Sequence, residues 1–234
     1  ALPIYMKDLS QDATELRLAE WLYAYGTLRR RRFDGASKRE QTQGALILST
    51  LQQRLFSSVE AFQRTLSAHR RAMEKVWAGE GATRSTVSTT EIGQLSAGYD
   101  NDDERSLLPS EQQETEAAVA LEQASLLPGG KVAAADVTME RKLLGDMARV
   151  AEQYRFRPDA RVAWLLGWLR KNASNGIRTE ENKTPQAGAK WTPLRLIIFT
   201  EYEDTARYLR SQLEAAIAGT DRCEARLDVF HGPT

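Results

Sequence analysis

Only one cysteine, Cys223, occurs in the 234 residues. No disulfide can form within the chain, and no multi-cysteine zinc site can be built from it. The two histidines, His69 and His231, are the only imidazoles that could assist it in such a site. Such thiol poverty suits a reducing compartment, so a cytoplasmic location is the expectation. Cys223 follows Arg222 with no identifiable base partner and reads as inert. No apolar run approaches about 18 residues, so no membrane span is expected. The opening residues ALPIYMKDLS lack a basic start, a long apolar core and a cleavage pattern, so no secretory signal is read there. Neither sign of charge is in excess, and no repeat of fixed period is visible.

What is present is an ordinary balance for a soluble chain with a core: 41% hydrophobic and 27% charged residues, enough for one large domain or two small ones. The charge is unevenly spread. Residues 1–78 hold 13 basic against 8 acidic side chains, 79–140 hold 3 against 12, and 141–234 hold 16 against 12. A neutral total therefore conceals two basic bodies around an acidic insert, and a basic face can meet phosphate.

The periodicity is mainly helical. Residues 2–9 suit a short strand or an extended lead-in. Asp12 with Glu15 offers a capping box, followed by Leu18, Trp21, Leu22, Tyr25 and Leu28 at helical spacing. That helix should fray at Arg29-Arg30-Arg31-Arg32 and stop by Asp34-Gly35. Ala45, Leu48, Leu51 and Leu55 mark a second helix over 37–55. Ser57 with Glu60 reads as the cap of a third, striped by Val59, Phe62, Leu66, Met73, Val76 and Trp77. His69, among Ser67, Arg70 and Arg71, reads as exposed. From 79 to 136 the chain is rich in Gly, Ser, Thr and acid and favours a mobile loop, with Ser110 and Gln113 capping a short helix up to Leu126 or Leu127. Helices then cover 138–154 and, behind the cap Asp159, the stretch with Val162, Leu165, Leu166 and Leu169. Residues 172–193 read as an exposed connector.

At the C-terminal end, Leu196-Ile197-Ile198-Phe199 suits a strand buried on both faces. Ala206, Leu209, Leu213 and Ile217 follow at helical spacing. Leu227, Val229 and Phe230 read as a second strand ending at His231-Gly232. The fold class expected is thus mainly α with a C-terminal α/β piece: a helical, bundle-like region followed by one Rossmann-like βαβ unit. The domains expected are a helical region over 1–78, an acidic insert over 79–137, helix continued over 138–171, a polar linker over 172–193 and the βαβ unit over 194–234.

Several of these segments together resemble one family. The stretches are Gln53-Arg54-Leu55-Phe56-Ser57-Ser58, Arg157-Pro158-Asp159-Ala160-Arg161, then Leu196-Ile197-Ile198-Phe199-Thr200-Glu201-Tyr202 with Asp204-Thr205-Ala206, and last Val229-Phe230-His231-Gly232. In this order the chain is similar to the middle of a SWI/SNF-type superfamily-two helicase-like ATPase. It is most similar to the bacterial branch that includes the RNA-polymerase-associated RapA translocase and the SWI/SNF-like subunit of the DISARM phage-defence system. The resemblance covers about two thirds of the chain and leaves 79–136 unaccounted for.

The resemblance implies the helical linker region and the start of the second of two RecA-like lobes, an incomplete lobe. It implies a DNA translocase that remodels complexes on double-stranded DNA. The complete protein would use ATP and magnesium, and its partners would be duplex DNA, its remaining motor lobe and the proteins of a DNA-processing or defence complex. The phosphate loop G-x-x-x-x-G-K-[ST] occurs nowhere in this sequence, and the later arginine motif of the family is also missing. The chain alone is therefore expected to bind no ATP and to hydrolyse none, and it offers no catalytic or metal-ligating residue.

Its candidate contributions are contacts to the DNA backbone. Thr200 and Tyr202 would lie at the carboxyl end of the first strand, where open α/β sheets place ligands, and Thr200 equally suits a plain helix cap. His231 and Gly232 would lie at the end of the next strand, with a turn as their alternative. Arg30 and Arg31 belong to a basic run that binds phosphate, docks on the acidic insert or is simply solvated. Arg54 pairs with either a phosphate or a carboxylate. Trp21, Trp77, Trp164 and Trp168 read as core or interface anchors. The rival expectation is a non-enzymatic helical scaffold or adaptor in a DNA-processing complex.

Overall fold

The computed structural model describes residues 13–79, 110–126, 134–184, 189–200 and 203–230, with the backbone alone at 110–117, 134 and 203–204. Its helices are α1 (Thr14–Arg32), α2 (Lys38–Ser57), α3 (Val59–Trp77), α4 (Ser110–Ser125), α5 (Ala134–Tyr154), α6 (Ala160–Asn172) and α7 (Glu203–Ile217), followed by a 3-10 turn at Cys223–Ala225. The chain divides between Arg155 and Phe156, and Thr14–Arg155 form one unit by themselves.

In that unit α1 packs on α2 and α5, and α3 packs on α2, α4 and α5. The buried faces follow the helical period. Leu18, Leu22 and Tyr25 of α1 meet Ile47, Leu51 and Leu55 of α2, Phe62, Leu66 and Met73 of α3, and Leu144, Met147 and Ala151 of α5 in a single cluster. Gly35 turns the chain after α1 with φ +84°, a conformation glycine adopts without steric cost. Ser37 then opens α2 with a capping box. Its hydroxyl accepts from the Glu40 amide, and its own amide donates to Glu40 Oε2 at 2.9 Å.

The cap between α2 and α3 falls one residue later than the sequence suggests. Ser58, extended at φ −161° and ψ 159°, donates its amide to the Arg54 carbonyl and accepts from the Ala61 amide at 3.0 Å. Gly44 is required by close approach, because a Cβ there would stand 2.6 Å from the Phe33 ring. The stretch expected to be a mobile acidic insert contains α4, whose Leu121 and Ala124 are buried in the core. Asp12, the early lead-in strand and residues 80–109 and 127–133 of the insert lie outside the described residues.

The second unit is organised around α6 and α7. Val162, Leu166, Ala173, Ile177, Tyr208, Leu213, Ala216 and Ile217 form its core. Asp159 caps α6 as expected, accepting from the Val162 amide at 2.8 Å. The Tyr208 hydroxyl accepts from the Asp159 amide at 2.8 Å and donates to the Arg157 carbonyl at 2.9 Å, tying α7 to the start of α6. The first part of the expected connector is pinned rather than exposed. Ala173, Ser174 and Ile177 are buried, and Arg178 donates through its amide to the Ala216 carbonyl at 2.9 Å.

The C-terminal βαβ unit is not formed. Among the described residues there is no strand, and the RecA-like assignment is corrected on that ground. The middle helix exists as α7, but 192–200 and 226–230 run as irregular chain. A strand needs a ladder partner, and one apolar on both faces also needs cover above and below. Neither is present among the described residues: Ile197 is 74% exposed, Phe199 91% and Phe230 88%. An apolar pattern by itself supplies no partner.

Two substitutions test this division between packed and unpacked apolar residues. Phe62→Ala should destabilise the protein by about 3–5 kcal/mol in urea unfolding. Ile197→Ser, in the exposed run, should change stability by less than about 0.5 kcal/mol.

Candidate nucleic-acid interface

The last turn of α1 places four successive arginines at about 100° intervals around the helix, so they cannot share one environment. Arg29 is turned inward. It is 2% exposed, and its guanidinium lies 5.0 Å from the centre of the Phe33 ring. Its Nη1 is buried without a hydrogen-bond partner. Arg32 is also turned inward and meets Glu140 Oε2 of α5 at 3.1 Å, the two side chains being 7% and 1% exposed. Burial first, and the neighbouring Arg29 second, pull the Arg32 pKa below its ordinary value.

Arg30 and Arg31 are exposed, the Arg30 guanidinium lying along the helix near Gly26 and Leu48 of α2. Lys38 and Arg39, in the first turn of α2 just across the Gly35 turn, are exposed as well. Four exposed cations thus follow one another around the α1–α2 turn, although the Arg30 guanidinium itself reaches back along α1. The nearby carboxylates are Asp34 and Glu40, and Glu40 is occupied by Ser37, whose hydroxyl and amide hold its pKa below the usual carboxylate value.

The other candidates are not gathered here. Arg54 is half-buried in the last turn of α2. Sixteen residues of helix put it about 24 Å along the axis from Lys38. Thr200 is exposed on irregular chain in the second unit. Tyr202, His231 and Gly232 lie outside the described residues. Trp21 and Trp77 pack against the bundle core as expected, and Trp164 is 39% exposed.

One buried group departs from the sequence expectation. His69 is 1% exposed, not on the surface. Its Nε2 lies 2.6 Å from the Tyr25 hydroxyl of α1 and its Nδ1 2.7 Å from Ser125 Oγ of α4. Phe62, Leu66, His69 and Met73 recur at steps of four, three and four, which already put the imidazole on the core face. Burial raises the Tyr25 pKa above its usual value and, with Arg29 second, lowers that of His69 to about 3. Both side chains are therefore neutral at physiological pH. The serine, histidine and tyrosine sit inside a closed core where no substrate reaches them, so the trio is structural.

No group of metal-ligating side chains occurs among the described residues. No helix among them is long and apolar enough to cross a membrane. No protein-family model matches the chain, and neither a curated protein nor a solved structure matches it.

The inward arginines and the outward ones should respond differently to mutation. Glu140→Gln removes the carboxylate that faces Arg32 in the core and should cost about 3 kcal/mol in denaturant unfolding. Arg30→Ala should stay within about 0.5 kcal/mol of the parent.

Proposed function

We propose that the chain is the DNA-gripping helical part of a SWI/SNF-type, ATP-dependent double-stranded-DNA translocase. The observation that carries this reading is the sorting of the arginine run. Two arginines anchor in the core, and two are exposed at the end of α1 that leads into the α2 turn carrying Lys38 and Arg39. A run of exposed cations on fixed helix ends suits a phosphate backbone, where long-range attraction and counterion release supply the affinity. Of the stretches that carry the resemblance, those at 53–58 and 157–161 fall at helix ends that form, and these are what support the family. The reading rests on the helical unit and invokes no sheet. ATP and magnesium belong to the complete protein, which would remodel a protein–DNA complex; the contribution of this chain is grip and coupling.

A helical scaffold or adaptor in a DNA-processing complex is the second reading. It is favoured by one observation, that all regular structure among the described residues is helical.

Fluorescence anisotropy with a labelled duplex distinguishes the two. The double variant Arg30→Glu/Arg31→Glu should bind at least about ten-fold more weakly, and its dependence of log K on log salt should be shallower by about two. Arg54→Glu, at the far end of α2, should change affinity much less. A parent chain without affinity for duplex DNA at low salt would leave the adaptor reading in place.

A further inference from the structure

Helix α4 is held to the bundle by contacts of two kinds. At the rim, Glu122 accepts from Lys75 Nζ at 2.7 Å and from Arg71 Nε at 3.0 Å. Deeper in, Gln43 Nε2 of α2 donates to the Ala124 carbonyl at 3.2 Å, and Ser125 Oγ meets His69 Nδ1 at 2.7 Å. The last contact is one end of a hydrogen-bond chain through three helices, since the other ring nitrogen meets Tyr25 at 2.6 Å.

A neutral imidazole carries one N–H and one lone pair. Both neighbours are satisfied in either tautomer; where Nε2–H donates to the Tyr25 oxygen, the Ser125 hydroxyl donates to Nδ1 and ties α4 to α3 through the lone pair of the ring. A protonated ring carries two N–H groups and no lone pair, so in that arrangement the Ser125 hydroxyl loses its acceptor. The surroundings give the added charge no relief. From α1 the facing groups are Tyr25 and the cations Arg29 and Arg32. From α5 the facing group is Glu140, already paired with Arg32. From α2 it is the uncharged Gln43 and from α4 the uncharged Ser125, with Glu122 at the rim bound to Lys75 and Arg71.

We propose that the Tyr25–His69–Ser125 chain is an acid-sensitive latch that keeps α4 closed on α3 while His69 is neutral and releases it when the ring takes up a proton.

The direction follows from linkage. In the closed state burial, with Arg29 second, depresses the His69 pKa to about 3. With α4 displaced, the ring meets water and regains about 6.5. The open state therefore binds the proton more readily. The preference for the closed state is complete above about pH 6.5 and is lost as pH falls from there toward 3. Between pH 7.5 and pH 5.5 the open population should rise about ten-fold. The rim pairs do not supply this response. Glu122 is held below the ordinary carboxylate value, first by its hydrogen bond from Lys75, and stays ionised across that range.

Hydrogen exchange on the full 234-residue chain, corrected for intrinsic rates, tests the latch. On going from pH 7.5 to pH 5.5, amides 118–125 should open about ten-fold more often while amides 143–151 of α5 hold their protection. In His69→Gln the ratio for α4 should fall to about one. In Glu122→Gln, which removes the rim pairs and keeps the imidazole, the ten-fold ratio should persist; its loss there would assign the response to the rim and overturn the latch. The latch is equally overturned if α4 and α5 lose protection in parallel, if the parent ratio is flat, or if His69→Gln keeps the parent ratio.

Discussion

Charge taken out of water is the constraint on which the Thr14–Arg155 bundle depends. Arg29, Arg32 and Glu140 occupy positions where leucine would pack with less difficulty, and Tyr25, His69 and Ser125 thread a second polar seam through the same core. Removing ionised groups from water costs several kcal/mol each unless partners replace the solvent. The bundle meets part of that cost by geometry, Arg29 Nη1 staying without a hydrogen-bond partner. The end of α1 must face α5 so that Arg32 reaches Glu140 at 3.1 Å. Arg29 must lie over Phe33, which in turn leaves room at position 44 for glycine alone. These contacts fix the register of α1 against α2, α3 and α5.

The same interactions connect the core to the surface. An α-helix cannot hide four successive side chains, so anchoring Arg29 and Arg32 necessarily displays Arg30 and Arg31. Their position is held by the buried pair beneath them rather than by loop conformation. The short turn through Gly35, closed by the Ser37–Glu40 box, then brings Lys38 and Arg39 to the same end of the bundle. Electrostatic character at this corner is thus a by-product of how the interior is balanced.

Much of the helical unit is legible in the sequence. The stripes Leu18–Leu22–Tyr25 and Phe62–Leu66–Met73 identify both the helices and the faces they bury. Asp159 is recognisable as a cap because an acidic residue follows proline ahead of an apolar run. His69 is hidden by its sequence neighbours Arg70 and Arg71, which are exposed on the other side of the helix, although its spacing from Leu66 and Met73 places it in the core. The C-terminal strands mislead for a different reason. Helical hydrogen bonds close within a few residues, so a local pattern can specify a helix. A strand is defined by a neighbour elsewhere in the structure, and the Leu196–Phe199 pattern carries no information about whether that neighbour is there. Of the candidate contact residues, Arg30 and Arg31 are identifiable as basic, but their separation from Arg29 and Arg32 requires the position of Glu140, which is remote in sequence.

Ser58 is shared by two helices. It ends α2 through its amide and begins α3 through its hydroxyl, with a single extended residue between them. Such an elbow contains no slack. The roughly 30 Å of α2 therefore runs from the charged turn to α3 with no loop between the two helices. Since α3 is packed against both α4 and α5, one serine is the covalent corner through which the helix carrying Lys38 and Arg39 joins the rest of the core.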